Sequence, residues 1–155
     1  MKQTKTNKIA LVSILTALSV ALGYVVKIPT ATGILTFLDA GIFFTAFYFG
    51  RREGAIVGGL GGFLIDLISG YPHWMIFSLI FHGSQGYFAG FKGRWQWLGL
   101  VLASLVMAAG YAFATAWMKG WGQALADVPH NLVQNFVGML VGFLLCQSIT
   151  KIRKQ

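Results

Sequence analysis

The sequence predicts an all-α integral membrane protein of six transmembrane helices, a single domain over residues 1–155 with both termini cytoplasmic. Three observations carry that prediction. Hydrophobic residues make up 56% of the chain and charged residues 10%; the apolar runs are about 20 residues long, the length that crosses a bilayer core; and the basic residues are placed asymmetrically. Of 12 Lys and Arg, all but Lys27 and Lys119 fall at the termini or in the second and fourth loops: Lys2, Lys5, Lys8, Arg51, Arg52, Lys92, Arg94, Lys151, Arg153 and Lys154. Cytoplasmic loops collect Lys and Arg, and this fixes the orientation. The net charge of +8 is thus an orientation signal. Spread over short loops, it does not build the concentrated basic face of a nucleic-acid binder.

The first helix is expected over residues 9–26, ended by Lys27-Ile28-Pro29. Ser19-Val20-Ala21 has the form of a signal-peptidase site behind a basic start, but the apolar run continues to Val26 and reads as a membrane helix. A second helix is expected over residues 36–50, opened by a capping box of Thr36 and Asp39. At 1.5 Å per residue it would reach only about 22 Å of a roughly 30 Å core. Residues 28–35 should therefore dip into the outer face, where irregular backbone is tolerated only against protein or a water-filled cavity.

The third helix, residues 53–69, carries Gly54, Gly58, Gly62 and Asp66 at four-residue spacing, a packing stripe that faces protein. After Gly70-Tyr71-Pro72-His73 the fourth helix, residues 74–91, places Ser78, His82, Gln85 and Gly86 on one face. The fifth is expected over residues 97–118. The sixth, residues 129–149, aligns Asn131, Asn135, Gly138 and Gly142. All five tryptophans fall at predicted interfaces, as an aromatic belt requires. The lone Cys146 excludes a disulfide within the chain.

Polar groups in hydrocarbon must pair within the bundle or line a cavity. On the topology above, Asp39, Ser78, Asn131 and Asn135 lie in the outer half, with His82 and Gln85 near the middle. Tyr71, Trp74 and Tyr111 add aromatic surface at similar depth. These nine residues form the candidate binding site, a mostly apolar pocket with a few placed donors and acceptors. Each also has a structural reading: Asp39 as half of a capping box, Asn131 and Asn135 as interhelical glue, His82 as a helix neighbour's partner, Trp74 as a belt residue. Asp66 reads as packing.

The exclusions narrow the function. Gly58-Gly59-Leu60-Gly61-Gly62 lacks the lysine of a phosphate-binding loop, so the chain holds no ATP site of that kind. His73, His82 and His130 have no metal-ligand spacing, no cofactor is implied, and no nucleophile motif occurs; the chain does not read as an enzyme. On the first helix, Ser13, Ala17 and Ala21 form a small-residue strip that admits close helix packing, inside the bundle or against a partner.

The segment Ala17-Leu18-Ser19-Val20-Ala21, the stretch Gly58 to Asp66 and six short helices with cytoplasmic termini resemble the substrate-binding S component of energy-coupling factor (ECF) vitamin transporters. The likeness is strongest to the branch for hydroxymethylpyrimidine or pyridoxine. It implies a multi-pass protein of the bacterial cytoplasmic membrane that captures a vitamin from outside. It also implies docking on a transmembrane scaffold subunit and two cytoplasmic ATPases, with Ala17 and Ala21 meeting the scaffold. Lys27 and Lys119 are the only cations expected outside, so a phosphorylated ligand would lack its bidentate arginine partners. A neutral or weakly basic hydroxylated heterocycle fits. A stand-alone facilitator, or an S component for another vitamin, is the alternative.

Overall fold

The computed structural model describes residues 5–30 and 34–153. Lys2 and Lys154 of the basic set, and the middle of the 28–35 loop, lie outside the described residues. Six helices appear in the order α1 (Lys5–Val25), α2 (Leu38–Tyr48), α3 (Arg51–Ser69), α4 (Met75–Ala89), α5 (Gln96–Lys119) and α6 (Trp121–Ile152). A short 3-10 turn, Gly93–Trp95, precedes α5.

Between α1 and α2 the chain forms a two-stranded antiparallel hairpin, β1 (Lys27–Pro29) and β2 (Ile34–Thr36), where the sequence predicted an irregular loop. Lys27 pairs with Thr36, Ile28 with Leu35 and Pro29 with Ile34. Phe37 N–H donates to Val26 O at 3.1 Å, continuing the closure toward the helices. With its backbone groups paired this way, the segment can cover the bundle without helix.

The hairpin takes up length that α2 lacks. At 11 residues, α2 is about 16 Å long, roughly half the bilayer core. Its start also differs from expectation. Phe37 occupies the cap position and makes no side-chain capping bond, so Thr36 and Asp39 do not form a capping box. Asp39 is fully buried instead.

Small residues set how closely the helices approach. A Cβ on Gly58 would fall 2.1 Å from the His82 carbonyl oxygen, and one on Gly62 would fall 2.7 Å from that of Ser78. The α3 backbone thus lies directly on α4, as the stripe predicted, and carries Asp66 to the level of Ser78. On the far side, a Cβ on Gly138 would meet the Asp39 Cβ at 2.3 Å, and one on Gly142 the Phe43 Cβ at 2.7 Å. This brings α6 against α2.

The sixth helix departs most from expectation. It begins at Trp121, eight residues before Pro129, and runs through that proline. Gly120, at φ +92°, is the whole connection from α5, a conformation that favours glycine. Proline removes one helical N–H. Side chains bind carbonyls next to that gap: His130 Nδ1 lies 3.0 Å from Ala126 O, and Asn131 Nδ2 donates to Asp127 O at 3.1 Å.

One end of the bundle is basic. Arg51 donates to Tyr87 Oη at 2.6 Å, Arg153 to Tyr48 Oη at 2.8 Å, and Lys92 to the Phe47 carbonyl. These bonds gather the α2–α3 turn, the α4–α5 connection and the end of α6 at one level, which the positive-inside rule makes cytoplasmic. The hairpin and the α3–α4 and α5–α6 turns form the opposite end. Three segments, Thr6–Val25, Gly93–Lys119 and Trp121–Ile152, are long and apolar enough to cross a membrane on their own. The shorter helices are carried within the bundle they complete. Trp95, Trp97, Trp117 and Trp121 are exposed, as belt residues must be, whereas Trp74 is buried.

Candidate ligand-binding site

At the outer end, the hairpin, α3, α4, α5 and α6 surround a cavity. Its walls include Thr36 from the hairpin, Asp66 from α3, Trp74, Ser78 and His82 from the start of α4 and the turn before it, Tyr111 and Thr115 from α5, and Asp127, Asn131 and Gln134 from α6. About 50 Å³ is open to the centres of water molecules. One water takes about 10–15 Å³ on that measure, so the space is that of a few water molecules.

The local sequence explains each wall. Gly70, in the left-handed conformation at φ +86°, ends α3 and returns its N–H to the Asp66 carbonyl. Tyr71 N–H donates to the same oxygen at 2.8 Å. The chain turns tightly there, and Trp74 swings in beneath the turn. Its ring centroid lies 5.6 Å from that of Tyr111, which in turn stands 5.9 Å from the His82 ring. Ser78 Oγ and Tyr111 Oη share a hydrogen at 2.6 Å.

Behind this aromatic wall runs a buried polar network joining four helices. Asp39 Oδ1 lies 3.3 Å from His82 Nδ1 and accepts from Gln134 Nε2 at 3.3 Å. Gln85 Nε2 donates to Asp39 Oδ2 at 3.1 Å and to Asn135 Oδ1 at 2.9 Å. Asn135 Nδ2 donates onward to Ser104 Oγ at 2.7 Å. Gln134 Oε1 accepts the Thr36 backbone N–H at 2.9 Å, tying the hairpin to the network. His82 Nδ1 also lies 3.2 Å from Gln85 Oε1. Both neighbours of Nδ1 are acceptors, so Nδ1 carries the proton and, in the neutral ring, Nε2 is the acceptor.

The structure sorts the nine sequence candidates into three groups. Trp74, Ser78, His82, Tyr111 and Asn131 line the cavity. Asp39, Gln85 and Asn135 do not line it but form the network that holds His82 and Gln134 in place. Tyr71 stands apart, half-buried with its ring 6.2 Å from that of His73 at the α3–α4 turn.

Sequence reasoning did not select Asp66, Thr115 or Asp127 for the site, and all three line the cavity with His130 and Gln134, which the sequence clusters with Asn131 and Asn135 near the outer face. Thr115 Oγ1 donates to Asp127 Oδ2 at 3.1 Å, linking α5 to α6. The signal for this group was present. Asp127, Asn131 and Gln134 follow the i, i+4, i+7 spacing of one helical face, obscured by reading Pro129 as the helix start. Three of the chain's four acidic residues, Asp39, Asp66 and Asp127, belong to the cavity or its backing. No lysine or arginine lines it among the described residues.

The small-residue strip lies elsewhere. On α1, Thr16, Ser19 and Gly23 are buried toward α2 and α3, while Ser13, Ala17 and Ala21 are exposed on the other side. A Cβ on Gly41 of α2 would collide with Ser19 Oγ at 2.0 Å. Ser19 is therefore the internal contact, and the strip packs against nothing among the described residues.

Comparison with known proteins agrees with this architecture. The family described as ECF-type riboflavin transporter, S component, matches residues 3–151. The chain is 43% identical, over 97% of its length and 92% of the relative's, to the thiamine precursor transporter HmpT of Lactococcus lactis subsp. cremoris (strain MG1363). It is 36% identical, over 76% of its length and 82% of the relative's, to an uncharacterized protein of Pyrococcus woesei. A solved structure, described as the S component of a bacterial ECF transporter, superposes with a TM-score of 0.77 over 98% of this chain and 100% of that one, at 21% identity. The chain is a multi-pass membrane protein that belongs to the S-component family of ECF transporters.

Proposed function

We propose that this S component captures a thiamine precursor, hydroxymethylpyrimidine, at its outer face and delivers it to a transmembrane scaffold and two cytoplasmic ATPases. The observation that carries the substrate class is a small cavity bearing carboxyl, amide, hydroxyl and imidazole groups beside aromatic rings, with no lysine or arginine among the described lining residues. Such a surface offers many acceptors and disfavours phosphate, which needs cationic or multiple N–H partners. It suits a weakly basic ring that brings donors of its own. The relative that is 43% identical carries the name of a thiamine precursor transporter. Pyridoxine is also a single hydroxylated ring but has no exocyclic amine, and its donors are hydroxyls at other positions of the ring.

The experiment is uptake into proteoliposomes. The chain alone should bind hydroxymethylpyrimidine without ATP and accumulate none against a gradient. Reconstituted with scaffold and ATPase subunits and supplied with ATP, it should concentrate the ligand. Concentrative uptake by the chain alone would refute the division of labour.

A further inference from the structure

Two buried polar side-chain atoms lack a hydrogen-bond partner among the described residues, Asp66 Oδ2 and Ser69 Oγ, and both lie on the last turn of α3. Buried polar atoms are ordinarily paired, so an orphan inside a binding cavity calls for a partner from outside the chain. Asp66 is 6% exposed and lines the cavity with Ser78 and His82. The Asp39 carboxyl is already engaged, Oδ1 by Gln134 and His82 and Oδ2 by Gln85. Asp66 keeps an oxygen unpartnered.

We infer that Asp66 is the specificity-determining residue of the pocket, accepting a hydrogen bond from an exocyclic amine or protonated ring nitrogen of the bound heterocycle. The inference rests on the substrate class proposed above and adds the group that reads it. The packing stripe makes the assignment possible. Gly58 and Gly62 bring the α3 backbone against His82 and Ser78, so a carboxyl one turn beyond Gly62 reaches the cavity wall. Ser78 is the hydrogen-bonding neighbour of that carboxyl. An ionised carboxylate only accepts; Ser78 then donates to Asp66, and Tyr111 donates to Ser78. The Tyr111–Ser78–Asp66 chain is thereby oriented, and the remaining, buried Asp66 oxygen is left to accept from a ligand donor. A ring carrying hydrogen in place of the amine would leave that oxygen unmet, which is how the site would discriminate.

The test is calorimetric titration of the detergent-solubilised chain with hydroxymethylpyrimidine and with its deamino analogue. The parent chain should prefer the amino ring by roughly fivefold to a hundredfold, the range set by one buried unmet acceptor. In Asp66→Ala the preference should disappear, because the amine loses its acceptor and the analogue no longer buries an unmet carboxylate oxygen; continued binding of the analogue also reports an intact fold. No preference in the parent chain, an unchanged preference in Asp66→Ala, or equal loss of both ligands would overturn the inference. Failure of the parent chain to bind either ring would instead overturn the proposed substrate class.

Discussion

Asp39→Ala is expected to abolish high-affinity binding, although Asp39 is not part of the cavity wall. Its carboxyl accepts from Gln85 and Gln134 and faces His82, at 3.1 to 3.3 Å, and it is fully buried. Removing that carboxyl leaves the Gln85, Gln134 and His82 donors without their acceptor, and each buried unmet donor costs about 1–3 kcal/mol because it has no water to turn to. Gln134 would lose the contact that orients it toward Thr36, and His82 the acceptor that fixes its Nδ1 proton. Binding should fall by more than about a hundredfold, accompanied by a lower melting temperature in detergent. His82→Ala and Asn135→Ala should each cost about 1–3 kcal/mol, or roughly fivefold to a hundredfold in affinity. Gln147, exposed near the cytoplasmic end of α6, serves as the control and should tolerate alanine. Unchanged affinity in folded Asp39→Ala would remove the network from the account.

Ala17→Trp or Ala21→Trp should abolish transport by the reconstituted complex while leaving ligand affinity within about twofold, less than 1 kcal/mol. Both alanines are exposed on the face of α1 that carries no internal contact, and the buried face is held by Thr16, Ser19 and Gly23. A bulky ring there meets lipid in the free chain and is tolerated. Against a partner helix the same ring prevents the close approach that small residues permit. Titration of the solubilised variant beside uptake in the full complex separates the two effects. Parallel loss of binding and transport would place the strip inside the bundle.

The fold was legible because a bilayer imposes few solutions. Apolar length, basic loops and the Gly54-Gly58-Gly62 stripe each constrain the bundle strongly, and the structure follows all three. Ends and turns were less legible. Asp39 has the spacing of a capping residue, yet Gln85 and Gln134, 46 and 95 positions away, supply the bonds that draw it inward. Local spacing carries no record of such distant donors. Pro129 misled for a related reason: its missing N–H is tolerated within α6, where neighbouring side chains bind the adjacent carbonyls. Asp66 was read as packing because it continues a glycine stripe. It does continue that stripe, but the stripe ends at the cavity, and only the tertiary arrangement shows that one carboxyl oxygen has no partner there.

The most direct measurement of the central claim is calorimetric titration of the purified chain against hydroxymethylpyrimidine, its phosphorylated form, pyridoxine and riboflavin under one set of conditions. A small, acceptor-rich cavity with no lysine or arginine among its described lining residues predicts the tightest binding for unphosphorylated hydroxymethylpyrimidine, weaker binding of pyridoxine, and no measurable binding of the phosphate ester or the flavin. Preference for the phosphate ester, or for riboflavin, would contradict the account.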